Sequence, residues 1–105
     1  MANPQLHIPR EELEEFCRRW KVAELALFGS ALREDFRVDS DVDVLITFEP
    51  EAKWSLFALV KMEHELEEIF NRDVDLVLRT AVEQSENYIR RESILSNLEV
   101  LHAPR

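Results

Sequence analysis

A chain of 105 residues has room for a single hydrophobic core. Its 46% hydrophobic and 33% charged content, with one glycine and four prolines, excludes a disordered tail, a collagenous repeat or a low-complexity linker. Asp and Glu number 22 against 13 Lys and Arg, and the net charge of −9 repels phosphate backbones, which excludes a role coating DNA or RNA directly. The one cysteine, Cys17, forbids an internal disulfide and suits a reducing compartment. No apolar run approaches the ~18 residues of a membrane span. Met1 to Pro9 has neither a basic nor an apolar leader segment. The expectation is an acidic, cytoplasmic domain, residues 1–105, with no membrane partner.

In chain order, Pro9 stands where a helix can start, because its fixed φ suits a first turn and its missing N–H is not needed there. From Arg10 to Trp20 the apolar residues Leu13, Phe16, Cys17 and Trp20 recur at helical spacing. Glutamates 11, 12, 14 and 15 open this helix, and Arg18, Arg19 and Lys21 close it, so the macrodipole is complemented. Val22 to Phe28 reads as a buried strand ended by Gly29-Ser30. Ser30 is placed to cap a short helix to about Arg33, and Glu34 to Ser40 reads as a loop. Asp41 to Phe48 alternates at period two, with Val42, Val44, Ile46 and Phe48 on one face and Asp41 and Asp43 on the other.

Pro50 ends that strand, and a helix is expected over Ser55–Phe70, its stripe formed by Leu56, Leu59, Val60, Leu66, Ile69 and Phe70 with an interruption at Glu63. A turn at Asn71-Arg72 leads to a third strand, Asp73 to Leu78, with Asp73, Asp75 and Val77 on one face. A last helical region, about Glu83 to Ser96, uses Tyr88, Ile89, Ile94 and Leu95, and a short strand is expected over Leu98–Leu101. The fold class is α/β (α+β): a small mixed β-sheet with helices packed on it.

Three features carry chemistry. Asp41 and Asp43 are two apart on an extended backbone, so their carboxylates project to one side, Cα atoms ~6–7 Å apart. Like charges so close destabilise each other unless a cation joins them, and hard carboxylate oxygens suit Mg²⁺ or Mn²⁺. Asp75 on a neighbouring strand supplies the third ligand of a two-metal cluster, the arrangement that clamps an in-line phosphoryl displacement. Gly29 lets backbone N–H groups approach an oxyanion, and the Ser30 hydroxyl can donate to a phosphate oxygen. For these groups to meet, the second strand must run antiparallel to the first and the third parallel to the second.

Gly29-Ser30, ten intervening residues, Asp41-Val42-Asp43 and then Val74-Asp75-Leu76 resemble the nucleotidyltransferase superfamily of DNA polymerase β. More narrowly, the chain resembles the minimal MNT nucleotidyltransferases, the antitoxin halves of HEPN/MNT toxin–antitoxin pairs. The resemblance runs from Leu25 through the Tyr88 to Leu95 segment. It implies the nucleotidyltransferase fold, an ATP substrate, and two divalent metals on Asp41, Asp43 and Asp75. It further implies that Gly29, Ser30 and Arg33 bind the nucleotide, and that Asp75 helps deprotonate the attacking hydroxyl. The activity implied is transfer of AMP to a tyrosine of a cognate HEPN ribonuclease toxin, which silences it. The chain departs from the family pattern at Glu34, where glycine is usual; the added negative charge bears on ATP affinity more than on metal binding. A second expectation is an antitoxin that works by binding and occlusion over a vestigial nucleotidyl site. Transfer to a small-molecule hydroxyl ranks last, because no second domain forms a substrate cleft.

The remaining features have plainer readings. Asp73 is read as turn chemistry, His64 and Glu68 as part of a solvated charged helix face, and Cys17 as packing. Trp20, Trp54 and Phe57 are read as core or helix-start packing, with a partner surface as the other reading. Arg90 and Arg91 are read as a solvated pair.

Overall fold

A computed structural model describes residues 7–32 and 40–103, the side chains of Ser30 and Ala31 excepted. The elements are α1 (Arg10–Trp20), β1 (Val22–Phe28), a 3-10 turn (Gly29–Leu32), β2 (Val42–Phe48), α2 (Leu56–Phe70), β3 (Val74–Leu78), α3 (Arg79–Glu83), α4 (Tyr88–Leu95) and β4 (Glu99–His102). The four strands form one sheet in the order β3-β2-β1-β4. β1 is antiparallel to both β2 and β4, while β2 and β3 are parallel. The mixed sheet expected from the aspartate spacing is the one observed. Its single parallel pair follows from α2, the crossover that parallel neighbours require.

The larger core lies between one sheet face and helices α1 and α2. Leu13, Phe16 and Cys17 of α1 meet Val22, Leu25 and Leu27 of β1, Val42, Val44 and Ile46 of β2, and Met62, Leu66 and Phe70 of α2. Val22, Leu25 and Leu27 share this face although strict alternation would put Val22 opposite the other two. A register shift between Val22 and Glu24 inserts the extra residue that brings them into phase. A smaller cluster on the opposite face joins Phe28, Leu45, Val82 and Ile94. The sheet is therefore buried on both sides along part of its length, and Asp43 and Asp75 belong by alternation to the face of the smaller cluster.

Two helix assignments change. The buried stripe of α2 is Met62, Leu66 and Phe70, whereas Leu56 and Val60 are exposed. Two apolar rows run along this helix, and only one can face the sheet. Phe57 is 83% exposed rather than packed, while Trp54 stacks on Phe48 with ring centroids 5.2 Å apart. Trp20 is half-buried, its indole N–H donating to Glu65 Oε2 at 2.8 Å. Arg19 also pairs with Glu65. Glu65 thus makes tertiary contacts, while His64 and Glu68 are exposed, as the solvated-face reading has them.

The expected last helix begins later, at Tyr88, and a further short helix, Arg79–Glu83, precedes it. The Ser85 hydroxyl accepts the Asn87 N–H at 3.3 Å, and the Asn87 side chain caps α4 by accepting the Arg90 N–H at 3.1 Å. Tyr88 and Ile89 are consequently exposed, and Val82 and Ile94 provide the buried contacts. Among the described residues, no helix is long and apolar enough to cross a membrane.

Candidate active site

The register between strands decides which acidic side chains can cooperate. Asp43 is the direct partner of Asp75 across the parallel β2–β3 pair, and of Phe28 across the antiparallel β1–β2 pair. Register partners on neighbouring strands lie about 4.8 Å apart and project from the same face. The two carboxylates therefore stand side by side on the central pair of strands, next to the end of β1 where the Gly-Ser turn begins. Asp41, exposed, lies immediately before β2, and the following Val42 N–H donates to the Asp73 carbonyl at 2.9 Å.

Gly29 closes the arrangement. Its φ is +67°, a left-handed conformation that side chains disfavour, and a Cβ at this position would stand 2.4 Å from Asp43 Oδ2. Asp43 thus occupies the space a side chain would take, and the Gly-Ser bend touches the carboxylate directly. The Ser30 backbone belongs to the 3-10 turn. The Ser30 side chain, Arg33 and Glu34 lie outside the described residues.

A divalent ion suits this donor set: oxygens only, contributed by register-matched carboxylates, with glycine leaving room beside one of them. Among the described residues no group of three His, Cys, Asp or Glu side chains is placed to hold a metal ion. Asp43 and Asp75, with Asp41 just before β2, lie at one end of the sheet. Carboxylates repel one another until a cation joins them.

Two residues that sequence reasoning passed over support the same end of the sheet. Glu67 on α2 accepts the Val74 N–H with Oε2 at 3.2 Å, and its carbonyl accepts the Arg72 N–H at 3.2 Å. Arg72 Nη1 donates to the Ser40 carbonyl at 3.2 Å. The available signal was modest: a cation placed two residues before a strand that carries a site aspartate. Cys17 is buried, and burial, with a smaller contribution from Glu14, pushes its thiol up to about 12, so it is neutral packing material.

A mixed sheet whose adjacent strands bring Asp43 and Asp75 together beside a glycine bend is the framework of a nucleotidyl-transferring enzyme. The model of the nucleotidyltransferase domain family matches residues 10–98, and this chain belongs to that family: it is a nucleotidyltransferase. Among curated relatives it is similar to the protein adenylyltransferase MntA of Thermococcus cleftensis, 36% identical over 69 residues, covering 66% of this chain and 68% of that one. Among solved structures it resembles a chain of a toxin–antitoxin complex with AMP-PNP (TM-score 0.68, 17% identity, 93% of this chain and 76% of that one). It also resembles a chain of the complex of tri-AMPylated Shewanella oneidensis HEPN toxin with MNT antitoxin (TM-score 0.58, 17% identity, 90% and 69%). At that identity the structural likeness establishes the fold.

Proposed function

We propose that this nucleotidyltransferase is the antitoxin of a HEPN-type ribonuclease toxin and acts by transferring AMP from ATP to a tyrosine hydroxyl of that partner. The carrying observation is the register match of Asp43 with Asp75, with the Asp43 carboxylate seated against Gly29. The reading is supported by the relative named as a protein adenylyltransferase and by the AMPylated toxin in the complex of like fold. The whole chain, 1–105, serves as one minimal domain in the cytoplasm.

In this reading Gly29, Ser30 and Arg33 hold the triphosphate. Asp41, Asp43 and Asp75 hold Mg²⁺ or Mn²⁺, which when bound supplies charge stabilisation to the phosphoryl group being displaced. Asp75 accepts the proton of the tyrosine hydroxyl. The tyrosine oxygen bonds to the α-phosphorus, and the bond from that phosphorus to the bridging oxygen breaks, so pyrophosphate leaves.

A second reading, neutralisation by occlusion alone, draws on the exposed apolar residues Leu56, Phe57 and Val60 of α2. One experiment separates them. The protein is incubated with ATP, Mg²⁺ and its paired toxin, and the toxin is weighed by mass spectrometry. A gain of AMP on a tyrosine that disappears with Asp41→Asn supports transfer. An unmodified toxin, together with full growth rescue by the Asp41→Asn, Asp43→Asn double variant, establishes occlusion instead.

A further inference from the structure

The site aspartates sit on or beside two different strands, and each strand is entered from a different loop. Their alignment therefore depends on what ties the two lead-in segments together. Among the described residues, two hydrogen bonds do so. One is between backbones, from Val42 N–H to the Asp73 carbonyl at 2.9 Å. The other is from the Arg72 guanidinium to the Ser40 carbonyl at 3.2 Å. The residues tied are the neighbours of Asp41 on one side and the turn before Asp75 on the other.

Arg72 is itself held in place. Asn71, at φ +56°, caps α2 in a left-handed conformation, turning the chain sharply at the helix end. The Arg72 N–H is fixed by the Glu67 carbonyl, and the Glu67 carboxylate holds the Val74 N–H, so the strand begins in a set position. The guanidinium, half-buried, then reaches across to residue 40. It places a permanent positive charge at the end of the sheet that carries the acidic groups. A guanidinium keeps this charge at every physiological pH and offers several donors in a fixed plane.

We propose that Arg72 is a positioning residue of the nucleotidyl-transfer site: it fixes the segment before β2 against the turn before β3, so that Asp41, Asp43 and Asp75 present a matched donor set to the divalent ion. This rests on the function proposed above. Groups that orient metal ligands from behind typically contribute 10–100-fold to metal affinity.

The test is a titration with Mn²⁺ in the presence of AMP-PNP, following the electron paramagnetic resonance signal of free Mn²⁺, alongside AMP transfer as a function of Mn²⁺ concentration. Arg72→Ala should raise the half-saturating Mn²⁺ concentration about tenfold or more in both measurements. Arg72→Lys, which retains the charge and one donor, should recover most of that loss. Arg79→Ala is the control: Arg79 is also half-buried and pairs with Glu24 at 2.6 Å, so its loss perturbs the fold without touching this end of the sheet. It should leave Mn²⁺ half-saturation unchanged.

Equal Mn²⁺ binding by Arg72→Ala and wild type overturns the inference, as does an equal weakening in Arg79→Ala. Should Arg72→Ala fold poorly, Arg72→Lys decides: half-saturation within a few-fold of wild type supports positioning, and a loss as large as full removal overturns it. A wild type that binds Mn²⁺ but modifies no toxin overturns the proposed function instead, and the comparison of Mn²⁺ affinities still decides the role of Arg72.

Discussion

At Gly29 two constraints coincide that are usually separate: a backbone in the left-handed region and a carboxylate oxygen where a Cβ would stand. Gly29→Ala should therefore cost about 1–2 kcal/mol from backbone strain, read as a lower urea midpoint. It should also reduce AMP transfer by about two orders of magnitude or more, because Asp43 must move to make room and a displacement of ~1 Å can itself cost about 100-fold in rate. Retained transfer by a folded Gly29→Ala protein contradicts the site geometry. Cys17 behaves oppositely: burial suppresses its chemistry. With its thiol raised to about 12 from the ordinary 9.0, iodoacetamide should fail to label native protein at pH 8 and should label it once denatured. The sign for stability follows. The native state keeps the proton longer than the unfolded chain, so the stabilisation is complete below about pH 9 and is lost as pH rises towards 12.

Helix α2 shows what periodicity can and cannot decide for an element. Of the stripe expected from hydrophobic spacing, Leu66 and Phe70 are buried and Leu59 and Ile69 pack partly against the core, whereas Leu56 and Val60 are exposed. Packing selects the row through Met62, Leu66 and Phe70, because the crossover from β2 to β3 fixes which side of the helix meets the sheet. Met62→Ala should accordingly destabilise by about 2–5 kcal/mol. Leu56→Ala, at a position 77% exposed, should stay within about 0.5 kcal/mol. Denaturant melts of the two variants check this order, and the reverse order contradicts the observed packing. The helix boundaries were more legible: α1 and β1 begin and end where the reading of Pro9, the charge distribution and Gly29 places them, and Ser55 caps α2 by accepting the Ala58 N–H at 3.2 Å. The break between α3 and α4 was hidden, since it depends on short-range bonds of Ser85 and Asn87 that leave no mark on the hydrophobic pattern.

For the whole molecule, the proposed function has the triphosphate and the cation in adjoining halves of one site, so nucleotide and metal should act together. A ligand present at 100 times its Kd stabilises the native state by about 2.7 kcal/mol. For a domain of this size that corresponds to a rise in Tm of roughly 10–20 °C with AMP-PNP and Mg²⁺ combined. Each alone should give much less. Differential scanning fluorimetry of the wild type and of Asp43→Asn, which should lose the combined effect, checks this. With a net charge of −9, the cation also relieves repulsion at the acidic end of the sheet, so added Na⁺ at equal ionic strength should not reproduce the shift.

The amino-acid order was sufficient for the mixed sheet and for the strand directions within it. Strand alternation has period two, and a helix between strands carries the chain back for a parallel return. These are local rules, and Gly29, Asp41-Val42-Asp43 and Val74-Asp75-Leu76 obey them directly. Tertiary structure alone decided the rest. The register that sets Asp43 opposite Asp75, the bulge that brings Val22 into phase with Leu25, the face of α2 that is buried and the reach of Arg72 to Ser40 all join residues distant in the chain. Such pairings are fixed by how whole elements close-pack around a shared core, a property of the assembled chain that no window of neighbouring residues contains.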